Sequence, residues 1–445
     1  MLGGSVFSTL LSFLTENVAS WEDKRRGKNR VHSMHDFAMS AFATFFTQSP
    51  SFLASQKLMR QKGGRDNAQS LFGIEKIPTD NRIRSILDEV EPAKLWPVYR
   101  KSFDFLVEKG EVERYRCFED TLLLALDGTD YYYSERIHCP YCQVSDHKDG
   151  RRSYKHTALM PALVKPRWSE VIPLAPEFVL PQDGHKKQDC ELQAVKRWIS
   201  REGQLYGNLG VTVLGDDIYS CGPLIKRVRD CRMHFIFVAK PSSHKYLYEE
   251  LDGLDKLKGI QSVRRRRREG KHRRFYHYRY INSVPLNGTK DSPVVNWCEL
   301  SILDQEGKLI YRNSFVTDHP INKENIEILV ECGRCRWKIE NEDFNTLKTK
   351  GYHFEHNFGH GKHYLSQTLL SLNILSFLFH TALAAFDSDY AWLRKTLPRR
   401  ETFFQHVSAL LQYHCFASWE VLLHFMVHRL QEGPAPPPEP FSLIE

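Results

Sequence analysis

Apolar positions recur every three to four residues over the first part of the chain, in Val6–Val18, His32–Phe46 and Asn81–Val90. That spacing predicts a helical region over residues 1–95. From Leu122 the period changes. Leu122-Leu-Leu-Ala-Leu126 is a near-continuous apolar run that predicts a strand buried on both faces, and Val211–Leu214 repeats it with β-branched residues. Strands are predicted over Tyr154–Val164, Ser169–Leu174 and His234–Ala239, with helices over Asp189–Tyr206 and Leu224–Arg229. This alternation predicts a mixed α/β sheet. Further strands, Val294–Ile302 and Lys308–Phe315, fall in a stretch of different character before the apolar-periodic helix that begins at Ile326. Ser366–Ala385 and Phe403–Leu430 are apolar and helical, and Gly433–Pro440 is a proline-rich tail.

Both buried runs end in carboxylate. The first leads into Asp127-Gly128-Thr129, the second into Gly215-Asp216-Asp217. An ionised Asp at the mouth of a buried strand is costly unless a cation or donors neutralise it. If the two strands are parallel neighbours, both carboxylates meet at one edge of the sheet, where α/β folds tend to place their sites. A third acid, Glu340, stands three residues after Trp337 and four before Phe344, on the apolar stripe of the Ile326 helix. Glu342 is its rival but falls off that stripe. Two aspartates and a glutamate form a hard oxygen donor set suited to Mg²⁺ or Mn²⁺.

The 445 residues hold 62 Lys+Arg against 54 Asp+Glu, a net charge of +8 that suits a polyanionic partner. No apolar run is expected to reach the roughly 18 residues of a membrane span, and Met1–Leu14 lacks the basic start of a signal peptide. Ten cysteines without a regular framework predict reduced thiols and a cytoplasmic protein. The positive charge concentrates in Arg264, Arg265, Arg266, Arg267 and Arg268, followed by Arg273 and Arg274 and then by Phe275, Tyr276, Tyr278 and Tyr280. Basic residues passing into aromatic alternation favour phosphate contact with base stacking.

The D-G-T strand end, the G-D-D-I-Y turn and the R-W-K-I-E helix, in that order and with a β-rich insertion before the last, resemble the DDE transposases of bacterial insertion sequences, in the group with a Tyr–Arg–Glu–Lys signature. The resemblance spans Phe103 to Asn373. It implies an RNase H-like core in which Asp127, Asp216 and Glu340 hold two divalent ions, and a homodimer on DNA (element ends and target) associated with the bacterial nucleoid. It also implies that Arg336, four before Glu340, contacts DNA, and that Trp297 and Trp337 stand where such proteins stack a flipped base. The signature tyrosine position is occupied by Gly333 and the lysine position by Leu347, with Lys348 one residue late as the nearest substitute.

The domain division that follows is a helical region at 1–95 as a candidate for DNA-end binding, a core at 96–240 and 320–390, a basic β-rich insertion at 241–319, a helical region at 391–432 and the tail at 433–445. The function that follows is cleavage of element ends and their joining to target DNA. An RNase H-like endonuclease without strand transfer, or a catalytically silent DNA-binding descendant, are the alternatives. Two other clusters stand apart from this reading. Cys139-Pro-Tyr-Cys142 with His147 and His156, or with Cys332-Gly-Arg-Cys335, has zinc-ligand chemistry, but reduced thiols are favoured over structural Zn²⁺. The histidine- and glycine-rich stretch His353–His363 reads as a DNA-contacting loop whose backbone amides face phosphate.

Overall fold

The apolar run at Leu122 opens the strand on which the sheet is centred. The computed structural model describes residues 4–26, 30–60, 66–181, 190–270 and 272–433. The proline-rich tail beyond Gly433 lies outside those residues, as do residues 27–29 and 61–65 of the expected helical region. Two units emerge, one of residues 1–104 with 347–445 and one of residues 105–346.

The first unit is helical: α1 (Val6–Ala19), α2 (Met34–Phe46), α3 (Phe52–Met59), α4 (Asn67–Phe72), α5 (Asp80–Leu87) and the start of α6 (Trp96–Glu108) precede the second unit in the chain. The second unit contributes α7 (Glu191–Asn208), α8 (Gly222–Asp230), α9 (Lys245–Lys256), α10 (Ile326–Arg334) and a π-helical segment, Ile339–Phe344. The chain leaves it through α11 (Asn345–Thr349) for α12 (Leu365–Phe386), α13 (Ser388–Thr396), α14 (Arg400–Tyr413) and α15 (Trp419–Glu432).

Within the first unit, α12 is the core helix, packed against α1 and α2. It is long and apolar enough to cross a membrane, and 78% of its most apolar stretch is buried inside the unit. This corrects the expectation that no apolar stretch reaches span length: Ser371, Asn373, Ser376 and His380 punctuate the sequence of a helix that is apolar on average. Those polar side chains are partnered in part: Asn373 Nδ2 donates to the Tyr352 carbonyl at 2.8 Å and His380 Nδ1 lies 2.6 Å from the Tyr352 hydroxyl, while Asn373 Oδ1 and His380 Nε2 are buried without a hydrogen-bond partner among the described residues. Phe7, Phe46, Phe72 and Trp419 close the core around this helix with ring contacts of 4.8–6.0 Å.

The second unit holds β1 (Leu122–Ser134), β2 (Gln143–Asp146), β3 (Arg152–Val164), β4 (Ile172–Pro173), β5 (Glu177–Val179), β6 (Val211–Gly215), β7 (His234–Val238), β8 (Gln261–Glu269), β9 (His272–Pro285), β10 (Val294–Leu303) and β11 (Leu309–Thr317). The main order is β2-β3-β1-β6-β7-β11-β10-β9-β8, with β4 and β5 paired to β3. β1, β6 and β7 are parallel, while β3 and β11 run antiparallel to their neighbours. Every residue of β6 is buried, as a strand covered on both faces requires. The fold is therefore mixed α/β.

Two expected boundaries move. The stretch 241–319 is no separate insertion in space, because β11 pairs with β7 and carries β10, β9 and β8 into the same sheet. Residues 347–390, expected in the core, belong with the helical unit. The physical reason is α12, whose all-round apolar surface packs among helices rather than on a sheet edge.

Candidate active site

Asp127 does not end its strand. β1 continues to Ser134, held by antiparallel pairing of Asp127 with Met160 of β3. What ends there is the parallel ladder: the last β1–β6 pair is Ala125 with Leu214. Two residues beyond that pair in each segment come Asp127, still within β1, and Asp216, the first residue after β6. The two apolar runs thus deliver their carboxylates to one place, where β1 stays paired on one side and loses its neighbour on the other.

The third acid arrives from a helix that is not continuous. α10 stops at Arg334, turns at Cys335–Arg336 and resumes through the π-helical Ile339–Phe344, which packs on β1 and β3. π-helical turns occur chiefly at functional sites. The turn aims Arg336 inward. Its Nη1 donates to Asp127 Oδ2 at 2.6 Å and to Glu340 Oε1 at 2.8 Å, so one guanidinium nitrogen joins strand acid to helix acid. Asp216 lies farther out, 36% exposed, with Lys240 Nζ 3.8 Å from its Oδ1.

A fourth carboxylate, which the sequence pattern did not single out, is Glu191 in the first turn of α7. A Cβ added at Gly128 would stand 2.5 Å from Glu191 Oε2, so the glycine after Asp127 leaves room for this acid. The buried Tyr219 hydroxyl donates to Glu191 Oε1 and fixes it. Burial, only partly offset by Arg336, pushes the Asp127 carboxyl up to about 7, with Glu191 and Glu340 adding repulsion. The acids concentrate negative charge, yet among the described residues no three of them bring ligand atoms within 4.8 Å of one another in this conformation, with the Arg336 guanidinium standing between Asp127 and Glu340. All four candidate ligands are oxygen donors, the set preferred by Mg²⁺ or Mn²⁺.

An open cleft of about 440 Å³ adjoins these acids, lined by Asp216, Lys240, Asn313, Arg334, Arg336 and Trp337 among others. The two tryptophans, both expected to offer a stacking surface, differ. Trp337, on the apolar stripe, is 43% exposed at this cleft with Lys338 Nζ 5.3 Å from its ring centroid. Trp297 is 1% exposed and packs edge-on against Tyr248, so it presents no surface for stacking in this conformation. β10 is a central strand between β9 and β11, which is why its tryptophan is core.

The absent signature tyrosine has a steric cause. A Cβ at Gly333 would already lie 2.9 Å from Ile236 Cγ2 and Phe315 Cδ1, so α10 seats directly on β7 and β11 and no aromatic ring fits between. Lys348 lies in the helical unit, where its Nζ pairs with Glu355 at 2.8 Å.

The arginine run forms β8, and the strand period divides it. Arg264, Arg266 and Arg268 share a face with Arg273 and Phe275 of β9, and all five are exposed. Arg265 and Arg267 point to the other face and each pairs with Glu327 of α10 at 2.6 Å, with Arg274 on that same side. Half of the expected basic surface therefore braces α10, and the other half is free to meet a polyanion.

The His353–His363 stretch also differs from its expected use. The Asp88 carboxylate accepts from the amides of Lys362, His363 and Leu365 at 2.9–3.1 Å, so the anion held by that loop is the protein's own. Among the described residues, Cys332 and Cys335 belong to no group of three or more metal-type side chains. The group His234, Asp318 and His319 is explained by hydrogen bonds, His234 to Asp318 at 3.2 Å and His319 to Thr212 at 2.9 Å.

No family model matches the chain, and no curated protein matches it. One structural neighbour is a transposase. The cryo-EM structure of a piggyBac transposase synaptic complex with hairpin DNA aligns with 98% of this chain and 80% of its own, at 12% identity and a TM-score of 0.36. The residues themselves carry the functional argument.

Proposed function

We propose that the chain is a DDE-type DNA transposase, cutting element ends and joining them to target DNA at Asp127, Asp216 and Glu340. The observation that supports this most is the convergence of Asp127 and Glu340 on one Arg336 nitrogen, with Asp216, like Asp127, two residues beyond the last pair of the parallel ladder. The strand order β3-β1-β6-β7, with β1, β6 and β7 parallel, is compatible with the RNase H-like core that the motifs resemble and supports this reading. Asp127, Asp216, Glu340 and Glu191 would hold the divalent ions. Two such ions activate an attacking oxygen and stabilise a leaving one in phosphodiester chemistry.

The remaining roles belong to the chain. Arg336 neutralises Asp127 and Glu340 while no ion is held, and is freed to pair with a phosphate once their charge is taken up. Trp337 offers an exposed ring at the cleft for an unstacked base. Arg264, Arg266, Arg268 and Arg273 form an exposed cationic ridge along β8–β9 that can follow a nucleic-acid backbone.

The test is Mg²⁺-dependent nicking of DNA carrying the chain's own flanking ends, followed by strand transfer from pre-cleaved ends. Asp127→Asn, Asp216→Asn and Glu340→Gln should each lower cleavage by more than the 10- to 100-fold typical of residues behind a metal ligand, with DNA binding retained. Full activity in any one variant removes that residue from the site. Nicking without joining would instead assign an endonuclease. The Arg336 lock favours a second reading, a silent DNA-binding protein, and the absence of any Mg²⁺- or Mn²⁺-dependent nicking would establish it.

A further inference from the structure

The hairpin that carries Asp127 carries a second group of ligand-type side chains past its far end. β1 finishes at Ser134, and Cys139-Pro-Tyr-Cys142 then folds back so that the Cys142 amide donates to the Cys139 carbonyl at 3.1 Å. A register shift between Asp130 and Tyr132 re-aims the β1–β3 ladder, and His156 of β3, paired with Tyr132, turns under this knuckle. Cys139 Sγ and Cys142 Sγ are 3.9 Å apart, and each is 3.5 Å from His156 Nε2. Tetrahedral zinc with Zn–S of about 2.3 Å and Zn–N of about 2.05 Å sets its ligands about 3.8 Å (S to S) and about 3.6 Å (S to N) apart. The three atoms stand at the corners such an ion demands.

We propose that Cys139, Cys142 and His156 bind a structural Zn²⁺ ion, separate from the carboxylate centre. Two further features point the same way. The Cys139 amide donates to Cys142 Sγ at 3.4 Å, which holds that sulfur inside the knuckle. His156 is 2% exposed and its ring is flanked by those of Tyr131 and Tyr132, each at 5.6 Å, which locks the imidazole with Nε2 toward the sulfurs. Two thiolates and a neutral imidazole cancel the charge of a divalent ion, so the buried site is electrically neutral. The fourth corner is left for water or a further side chain. His147, the other histidine that the spacing offered, is engaged instead by Ser153 Oγ at 2.8 Å. The ion would pin the stretch between β1 and β3, including the short strand β2, to the hairpin.

The full-length chain, purified without chelator, should contain about one zinc per molecule by elemental analysis. Replacing zinc with Co²⁺ should give the visible bands of tetrahedral, thiolate-bound cobalt, a readout on the wild-type chain that depends on no variant folding. Cys139→Ser, Cys142→Ser and His156→Ala should each lose the metal, and His147→Ala should keep it. Substoichiometric zinc together with octahedral cobalt spectra would overturn the proposal, as would stoichiometric zinc retained by Cys139→Ser and His156→Ala. None of these readouts depends on DNA cleavage, so they stand or fall apart from the catalytic reading.

Discussion

One pair of strands, β1 and β3, carries two kinds of ligand set, and their differences are instructive. The Asp127 centre is built of oxygen, opens to solvent at Asp216 and Glu340, and contains a cation of its own in Arg336. The Cys139 knuckle is built of sulfur and nitrogen and closes over a buried imidazole. A site that exchanges hard ions needs a partner for its carboxylates when no ion is held, because unpaired buried charge is costly. A site that keeps its ion needs only the right spacing. Arg336 is what makes the first kind affordable.

The largest expected difference is in response to chelation. Brief EDTA treatment should abolish nicking completely and added Mg²⁺ should restore it, while the zinc content of the same sample is unchanged. Activity and zinc leaving together, with neither recovered by Mg²⁺, would break the distinction between an exchangeable and a resident ion.

A second test uses a carboxylate that has neither ion nor guanidinium. Asp343, in the π-helical segment, is fully buried with no hydrogen-bond partner on either oxygen, and burial pushes it up to about 8. A carboxyl raised in the folded state stabilises the fold below its ordinary pKa, and that stability is lost as pH rises through the folded value. The chain should therefore lose stability from about pH 4 to about pH 8, with a slope of at most about 1.4 kcal/mol per pH unit from this group. Asp127, raised in the same direction to about 7, adds to the fall. Saturating Mg²⁺ separates the two, since it should remove the Asp127 part and leave that of Asp343. Denaturant melts of wild type and Asp343→Asn across this range should differ in slope, the variant being flatter. Equal slopes would place the Asp343 carboxyl in contact with water.

The elements that periodicity located are those with a strong environment. Leu122–Leu126 and Val211–Leu214 read as buried strands because every residue in them is buried, and Asp189–Tyr206 reads as a helix because Val195, Trp198 and Ile199 form one buried stripe. The parallel pairing that brings Asp127 and Asp216 past the same end of the β1–β6 ladder was conditional on adjacency, which no local pattern encodes. Glu191 stayed hidden because an acid in the first turn of a helix is ordinary capping chemistry; only the void above Gly128 marks it as different. Of the two tryptophans expected to stack a base, only Trp297 misled. A helical stripe projected through Cys335–Arg336 assumes an unbroken helix, and the turn there swings Trp337 outward and Arg336 inward. In β8 the five arginines read as one patch, although a strand sends neighbours to opposite faces and Glu327 claims two of them.

The smallest expected effect tests Arg336 as the stand-in ion. Its side chain is 19% exposed and that of Asp127 15%, so the pair lies between the buried and surface cases. Arg336→Ala should lower the stability of the ion-free chain by about 1–3 kcal/mol at pH 8, where Asp127 is ionised. Mg²⁺ or Mn²⁺ should then raise the melting temperature more in the variant than in wild type, because the ion no longer competes with a guanidinium already in place. The same substitution should leave zinc content unchanged, which ties the effect to one of the two ligand sets. An ion-free variant as stable as wild type, or equal gains from Mg²⁺ in both, would mean that Asp127 and Glu340 need no internal cation. The contrast between the two centres would then rest on donor chemistry alone.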